Sequence, residues 1–291
     1  MRLTKRNKKL GDNEMKLTYL GTAAAEGWPA LYCNCDSCMT ARKLKGKDIR
    51  TRCQALVNDD LLIDFPPDTY LHVLNYGLDL DKVKDIIITH AHEDHFYVED
   101  LANRQPGYCS IRAPHIMNLY GNDAVKARYD ECHSIPYNKS LPDVVKMTEI
   151  FEYQPHQIGK YTVYPMLADH NKNEKCYIYL IVDDEGKTLL YAHDTGYFRE
   201  DCWNFLKQFK LDLVSMDCTN GKLLEQQNHM GLVGCANVKE RLIKEGCVKD
   251  TTQFVVHHFS HNCKFLSHDE LVEEASKYGF LVSYDTMQIE I

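Results

Sequence analysis

The sequence predicts a mixed α/β or α+β protein built as two β-rich halves, each acquiring helices. Three observations carry this. Short β-branched and apolar runs, such as Ile86-Ile87-Ile88 and Leu211–Met216, read as buried strands. Turn-forming clusters, such as Asp59-Asp60 and Asp183–Gly186, separate runs of this kind. Longer stretches, Gly231–Glu245 and Ser267–Tyr278, carry helical periodicity.

In chain order, Leu17–Gly21 is a first strand ending in a glycine turn. Thr22–Pro29 is small and Gly/Pro-punctuated, and a basic stretch, Arg42–Arg52, is expected on the surface. Cys53–Asn58 and Leu61–Asp64 are strands, and Pro66-Pro67 stops the second. Asp68–Tyr76 follows as a helix with Asp68 or Thr69 near its N-terminus. Within residues 99–150 only Asp123–Cys132 reads as helical. The prolines and aromatics there fit either loops walling a pocket or packing on the core. Strands resume at Tyr161–Met166, Cys176–Val182 and Thr188–Ala192, the last two joined by a hairpin-like turn. Asp201–Phe209 is a helix, and Phe254–Val256 is a strand entering His257-His258. Ser267 is the N-cap of its helix, with Glu270 at the capping-box position. Leu281–Tyr284 and Met287–Ile291 close the chain as strand-like pieces.

The 291 residues and the hydrophobic fraction of 44% suffice for a substantial core. Residues 15–291 are expected as one domain and residues 1–14, basic without an apolar signal segment, as a disordered extension. No run approaches the roughly 20 apolar residues of a membrane span. A net charge of −8 argues against a nucleic-acid backbone as partner, though not against a small anionic one. The 12 cysteines are mostly scattered singly, which suits reduced thiols in a cytoplasmic protein.

The chemistry centres on Thr89–His95, T-H-A-H-E-D-H, directly after the isoleucine run. His90, His92, Asp94 and His95 all suit divalent metals. An i, i+2 pair of histidines on a turn can send both rings to one ion, leaving Asp94 and His95 to face a neighbouring one.

His-x-His-x-Asp-His after an apolar strand resembles the metallo-β-lactamase superfamily of binuclear hydrolases. The likeness runs from about Met15 to the C-terminus. It implies a four-layer αββα sandwich. It also implies three distant ligands in order, met here by His170, Asp194 and His258. By this resemblance His90, His92 and His170 hold one ion, Asp94, His95 and His258 hold the other, and Asp194 bridges. Zinc, manganese and iron all suit the set. Asp64 matches an acidic position expected to orient a ligand imidazole. His193 and His257 are adjacent rivals, which strand alternation should turn away.

Cys33-x-Cys35-x-x-Cys38 supplies three soft donors at a spacing that suits three corners of a tetrahedral zinc site. Here the resemblance narrows to the PhnP-like branch, cyclic phosphodiesterases of the carbon–phosphorus lyase pathway. In that branch a histidine three residues past the last active-site ligand completes a structural zinc site, and His261 stands there. The branch also carries an active-site histidine where this chain has His229, a residue suited to protonate a leaving alkoxide. Many relatives have glycine three residues past the metal loop. This chain has Val98, so its following loop is expected to take another course.

The resemblance implies a hydrolase cleaving a small cyclic or nucleotide-like phosphodiester through a metal-bridging hydroxide, with Asp94 and His229 in the catalytic set. A homodimer is compatible with it. Thioester, lactone or lactam hydrolysis, a role like that of the pyrroloquinoline quinone biosynthesis relative, and a non-catalytic metal-binding protein are the alternatives.

Overall fold

A computed structural model describes residues 14–112 and 114–291. The expectation for the N-terminal extension therefore falls, apart from Glu14, outside the described residues. Two seven-stranded sheets form the frame. The first holds β1 (Lys16–Gly21), β2 (Gln54–Val57), β3 (Leu61–Ile63), β4 (Asp85–Ile87), β5 (Met117–Gly121) and β6 (Val145–Glu149) in sequence order. The last strand, β14 (Gln288–Glu290), lies outside β1. The second holds β7 (His156–Ile158), β8 (Tyr161–Leu167), β9 (Tyr177–Val182), β10 (Thr188–Ala192), β11 (Leu211–Asp217), β12 (Val248–His257) and β13 (Leu281–Val282), again in order.

Three apolar clusters define the layers. Leu17, Ala55, Ile63 and Ile87 of the first sheet meet Val163, Ile181, Leu189 and Leu213 of the second, which makes the sheets face to face. Alternate residues turn outward. Leu190, Val214 and Val256 pack under α3 (Glu200–Leu206), α4 (Leu232–Lys244) and α5 (His268–Ser276), through Trp203, Val238 and Leu271. Leu62, Ile86 and Leu119 pack under α2 (Asp123–Ser134), through Val125 and Tyr129. Helices thus cover both outer faces, and the sandwich is αββα.

The segment 99–150 holds more structure than its sequence shows. β5, α2 and β6 form a parallel crossover on the first sheet, and Met117, Leu119, Cys132, Leu141 and Val145 are core residues. Helix α1 (Asp36–Leu44) also begins inside the cysteine segment. The 68–76 stretch is helical as predicted, but it widens to a π turn over His72–Tyr76, stopped by Gly77 at φ 77°. Ser267 caps α5 by accepting from Glu270 N–H, whereas the Glu270 carboxylate accepts from Leu266 N rather than closing a capping box on Ser267. The basic stretch is not all surface. Arg50 is buried, donating to Thr22 Oγ1, to Ser283 O and to His268 Nδ1, so its desolvated charge is fully hydrogen-bonded.

Chain direction fixes where chemistry gathers. β3 and β4 are parallel, as are β10, β11 and β12. Their C-terminal ends release Asp64, Thr89–His95, Asp194, Asp217 and His258 at one edge of the sandwich.

Candidate metal centre

The backbone leaves the regular strands abruptly. Asp64, Asp194 and His258 sit at φ 65°, 47° and 60°, in the left-handed region that non-glycine residues rarely adopt. Asp64 and His258 follow directly on strands and Asp194 comes two residues after one, and the turn redirects each side chain into the edge. Such positions persist where surrounding contacts over-determine them.

The structure brings together every ligand candidate. His90, His92 and His170 form one cluster, with His90 Nε2 at 2.9 Å from His92 Nδ1. Beside it, His95 Nε2 lies 3.0 Å from Asp94 Oδ2 and 2.7 Å from Asp194 Oδ2, and His258 Nε2 lies 3.1 Å from that same oxygen. The other Asp194 oxygen, Oδ1, faces His170 Nε2 at 3.9 Å. One carboxylate therefore addresses both clusters, one oxygen to each.

Outer partners fix the rings. Asp64 Oδ2 is 2.8 Å from His95 Nδ1, while Thr89 N–H and Oγ1–H hold the carboxylate. Thr219 Oγ1 is 2.7 Å from His258 Nδ1, Thr89 Oγ1 is 3.1 Å from His90 Nδ1, and Asn171 Nδ2 is 3.2 Å from His92 Nε2. If His95 donates through Nδ1, its Nε2 presents a lone pair to a carboxylate oxygen at 2.7 Å. Two electron-rich atoms do not stay buried at that distance without positive charge between them. His95 Nε2, Asp194 Oδ2 and His258 Nε2 have no aligned hydrogen-bond partner in the structure. The titration balance makes the same demand. Burial works against a charged His95, yet Asp94, Asp194 and Asp64 raise its pKa well above the usual imidazole value. Burial opposes ionisation of Asp194 too, but His258 and His95 hold it well below the carboxylate range. The donors fit a pair of divalent cations.

Two groups at this edge had no assigned role in the sequence. Asp217 ends β11 and is buried. Its Oδ2 lies 2.9 Å from His229 Nδ1, and its Oδ1 accepts from Thr219 N–H and Met230 N–H. The signal for it is a strand-ending aspartate, as at Asp64 and Asp194. His193 does not turn away from the site as alternation suggests, because the chain bends at Asp194. Its ring centroid lies 5.0 Å from that of His95. His257 does turn away. It sits in the core against Tyr191 Oη, Ser283 Oγ and Cys53 Sγ.

His229 reaches the site on a loop threaded past Gly196. A Cβ there would meet Gln226 O at 2.4 Å and Asn228 N at 2.9 Å, so only glycine admits this approach. Burial lowers the His229 pKa, but Asp217 and Asp194 outweigh it and bring it up to about 9.

Away from this edge, Cys33, Cys35, Cys38 and His261 form a second separate cluster. His261 Nδ1 is 3.4 Å from Cys35 Sγ and 3.7 Å from Cys33 Sγ. Ala30 N–H and Cys35 N–H point at the sulfurs of Cys38 and Cys33. Three sulfurs and one imidazole match the donor set of a tetrahedral zinc. Glu26 Oε1, bonded to Ser260 Oγ, stands 3.6 Å from the outer nitrogen of His261. Val98 starts a 3-10 helix, Val98–Arg104, and buries its side chain in the core beneath α2.

No helix among the described residues is long and apolar enough to cross a membrane. No curated protein sequence matches the chain. Among solved structures, a diphosphatase from the PhnP family is 20% identical, with a TM-score of 0.73 over 96% of this chain and 97% of that one. Zinc-bound PqqB from Methylobacterium extorquens is 16% identical, with a TM-score of 0.73 over 95% and 100%. The short form of human tRNase Z is 15% identical, with a TM-score of 0.63 over 94% and 98%. Residues 61–259 match the beta-lactamase superfamily domain. That span carries every candidate ligand of the two adjoining clusters, and the chain belongs to the metallo-β-lactamase superfamily, whose members are in general metal-dependent hydrolases.

Proposed function

We propose that the protein is a dinuclear metal-dependent phosphodiesterase acting on a small cyclic or nucleotide-like phosphodiester. The observation that carries this is the division of Asp194 between two donor clusters, with His229 at their rim. His90, His92 and His170 would hold one ion, Asp94, His95 and His258 the other, and Asp194 both. Two divalent ions acidify a water at neutral pH and offset charge on phosphoryl oxygens.

The chain's own residues supply the rest. Asp64, Thr89 and Thr219 set the tautomers that aim His95, His90 and His258 inward. Asp217 Oδ2 accepts from His229 Nδ1–H, which fixes the ring and leaves Nε2 as the nitrogen to carry a proton to the substrate. That proton suits a departing alkoxide, which makes His229 the general acid. The similarity to a diphosphatase supports a phosphate substrate, and the net charge of −8 disfavours a long nucleic acid. Cys33, Cys35, Cys38 and His261 would hold a structural zinc that ties the first loop to the loop after His258.

The test is hydrolysis of bis-p-nitrophenyl phosphate with zinc or manganese, alongside His92→Ala and Asp94→Ala. Metal-dependent turnover in the wild type that collapses in both variants is expected. Near-normal turnover in both variants sinks the mechanism, and metal-loaded, folded protein without turnover moves the reading to carbonyl substrates.

A further inference from the structure

His193 directly precedes Asp194 at the exit of β10, and its side chain is 1% exposed. Its Nε2 lies 3.1 Å from Asp64 Oδ2, and its Nδ1 lies 3.6 Å from Asp194 Oδ2. Neither nitrogen has an aligned hydrogen-bond partner among the described residues. A fully buried imidazole with two unsatisfied nitrogens is costly, and cores seldom keep one without a reason.

Asp64 Oδ2 faces two imidazoles, one in an aligned hydrogen bond from His95 Nδ1 and the other, His193, at contact distance only. The oxygen near His193 Nε2 is the one 2.8 Å from His95 Nδ1. Each ring then points its other nitrogen at Asp194 Oδ2. Metal-bound histidines repeatedly show this pattern, with one nitrogen on the ion and the other N–H donated to a carboxylate. His193 reproduces the His95 arrangement with the two nitrogens exchanged.

Ring spacing supports the parallel. In the first cluster the centroids of His90, His92 and His170 are 4.4, 5.1 and 5.3 Å apart. Those of His95, His193 and His258 are 5.0, 5.4 and 5.7 Å apart. Three rings converge in each case.

We propose that His193 is a further ligand of the second ion, through Nδ1, with its Nε2–H donated to Asp64. The two positions then differ. The first has His90, His92, His170 and Asp194, whereas the second has Asp94, His95, His193, His258 and Asp194. Five nitrogen and oxygen donors favour an ion that accepts more than four ligands, such as manganese or iron, over a strictly tetrahedral one. The inference rests on the dinuclear reading of this site.

The test is proton–cadmium correlation NMR on the full-length wild-type protein loaded with cadmium-113. Ring protons of a ligated histidine couple to the metal, whereas those of a merely hydrogen-bonded one do not. The expected result is a His193 cross-peak at the cadmium resonance that His95 and His258 share. It is assigned by its loss in His193→Gln. Couplings from His95 and His258 without one from His193 overturn this proposal and leave the dinuclear reading intact. No coupling from any of the site's histidines overturns both. In competition with a chromophoric chelator, His193→Gln is expected to weaken one active-site ion by at least about 10–100-fold and spare the other. Unchanged affinity at both positions overturns the assignment.

Discussion

His229 Nδ1 lies 2.9 Å from Asp217 Oδ2, and its Nε2 has no protein partner among the described residues. The pairing orients the ring, and in the proposed reaction Nε2 would carry the proton given to the leaving group. His229→Ala is expected to lower kcat by about 10²–10⁴-fold for substrates with a poor alkoxide leaving group. A p-nitrophenolate leaving group needs little protonation and should lose far less. Metal content, read by atomic emission, should stay at the wild-type level. An equal loss for both leaving groups would show that the residue does not act as an acid.

Asp64→Asn replaces an acceptor with an amide at the point where His95 and His193 meet one carboxylate oxygen. Metal affinity or activity should fall by about 10–100-fold, the usual effect of losing such an outer partner. Equilibrium dialysis against zinc checks this. The fold should survive, because Thr89 can still bond the remaining side-chain oxygen.

Cys35→Ser removes one sulfur from the cluster that joins the first loop to His261. The expected outcome is a Tm lower by several degrees and easier unfolding by chelators, because a metal bound there would stabilise the folded state. Activity per mole of dinuclear-loaded, folded protein should be nearly unchanged. Thermal melts of both proteins with and without chelator measure it.

The protein should lose stability on mild acidification, apart from any effect at the metal centre. Burial lowers His72 to about 3, and burial with Arg50 and Lys47 lowers His268 to about 4. Below about 6.5 the unfolded chain takes up protons that these two native side chains refuse. Their stabilising contribution is thus complete above pH 6.5 and is lost as pH falls toward 4. Asp285 works in the opposite sense. Burial raises it to about 6, so its contribution is present below about 3.8 and fades as pH rises through 6. Two histidines outweigh one carboxylate near pH 5, so Tm should drop between pH 7 and pH 5. His268→Gln keeps an acceptor for Arg50 without a titrating group, and should flatten that drop. Equal slopes in the two proteins would contradict the assignment.

The strands of the sandwich and the ends of its longer helices are legible because their patterns are local. Thr188–Ala192 needs no correction, and Ser267 caps its helix as its hydroxyl suggests. The donor set is legible because histidines and aspartates follow apolar runs, and its members do converge. Other features depend on distant parts of the chain. β5 and β6 alternate buried with more exposed residues, and their apolar face is recognisable only when α2 lies over it. Arg50 is basic in sequence yet buried, because Thr22, Ser283 and His268 arrive from distant segments to satisfy it. Strand alternation misplaces His193, because the rule assumes a straight chain and Asp194 bends it at φ 47°.

The pairing of β1 with β14 has a consequence for assembly during synthesis. β1 is made among the first described residues, yet its outer neighbour is among the last. Until β14 leaves the ribosome, the β1 edge of the first sheet carries unpaired backbone groups, a hazard that proteins usually cover. The cysteine cluster waits likewise, since Cys33 and His261 are 228 positions apart. Both closures come late, and they come together. A nascent chain stalled before His258 would lack a candidate metal ligand, the histidine of the cysteine cluster and the strand that covers its edge. Truncation should therefore produce an aggregation-prone fragment rather than a weakened enzyme.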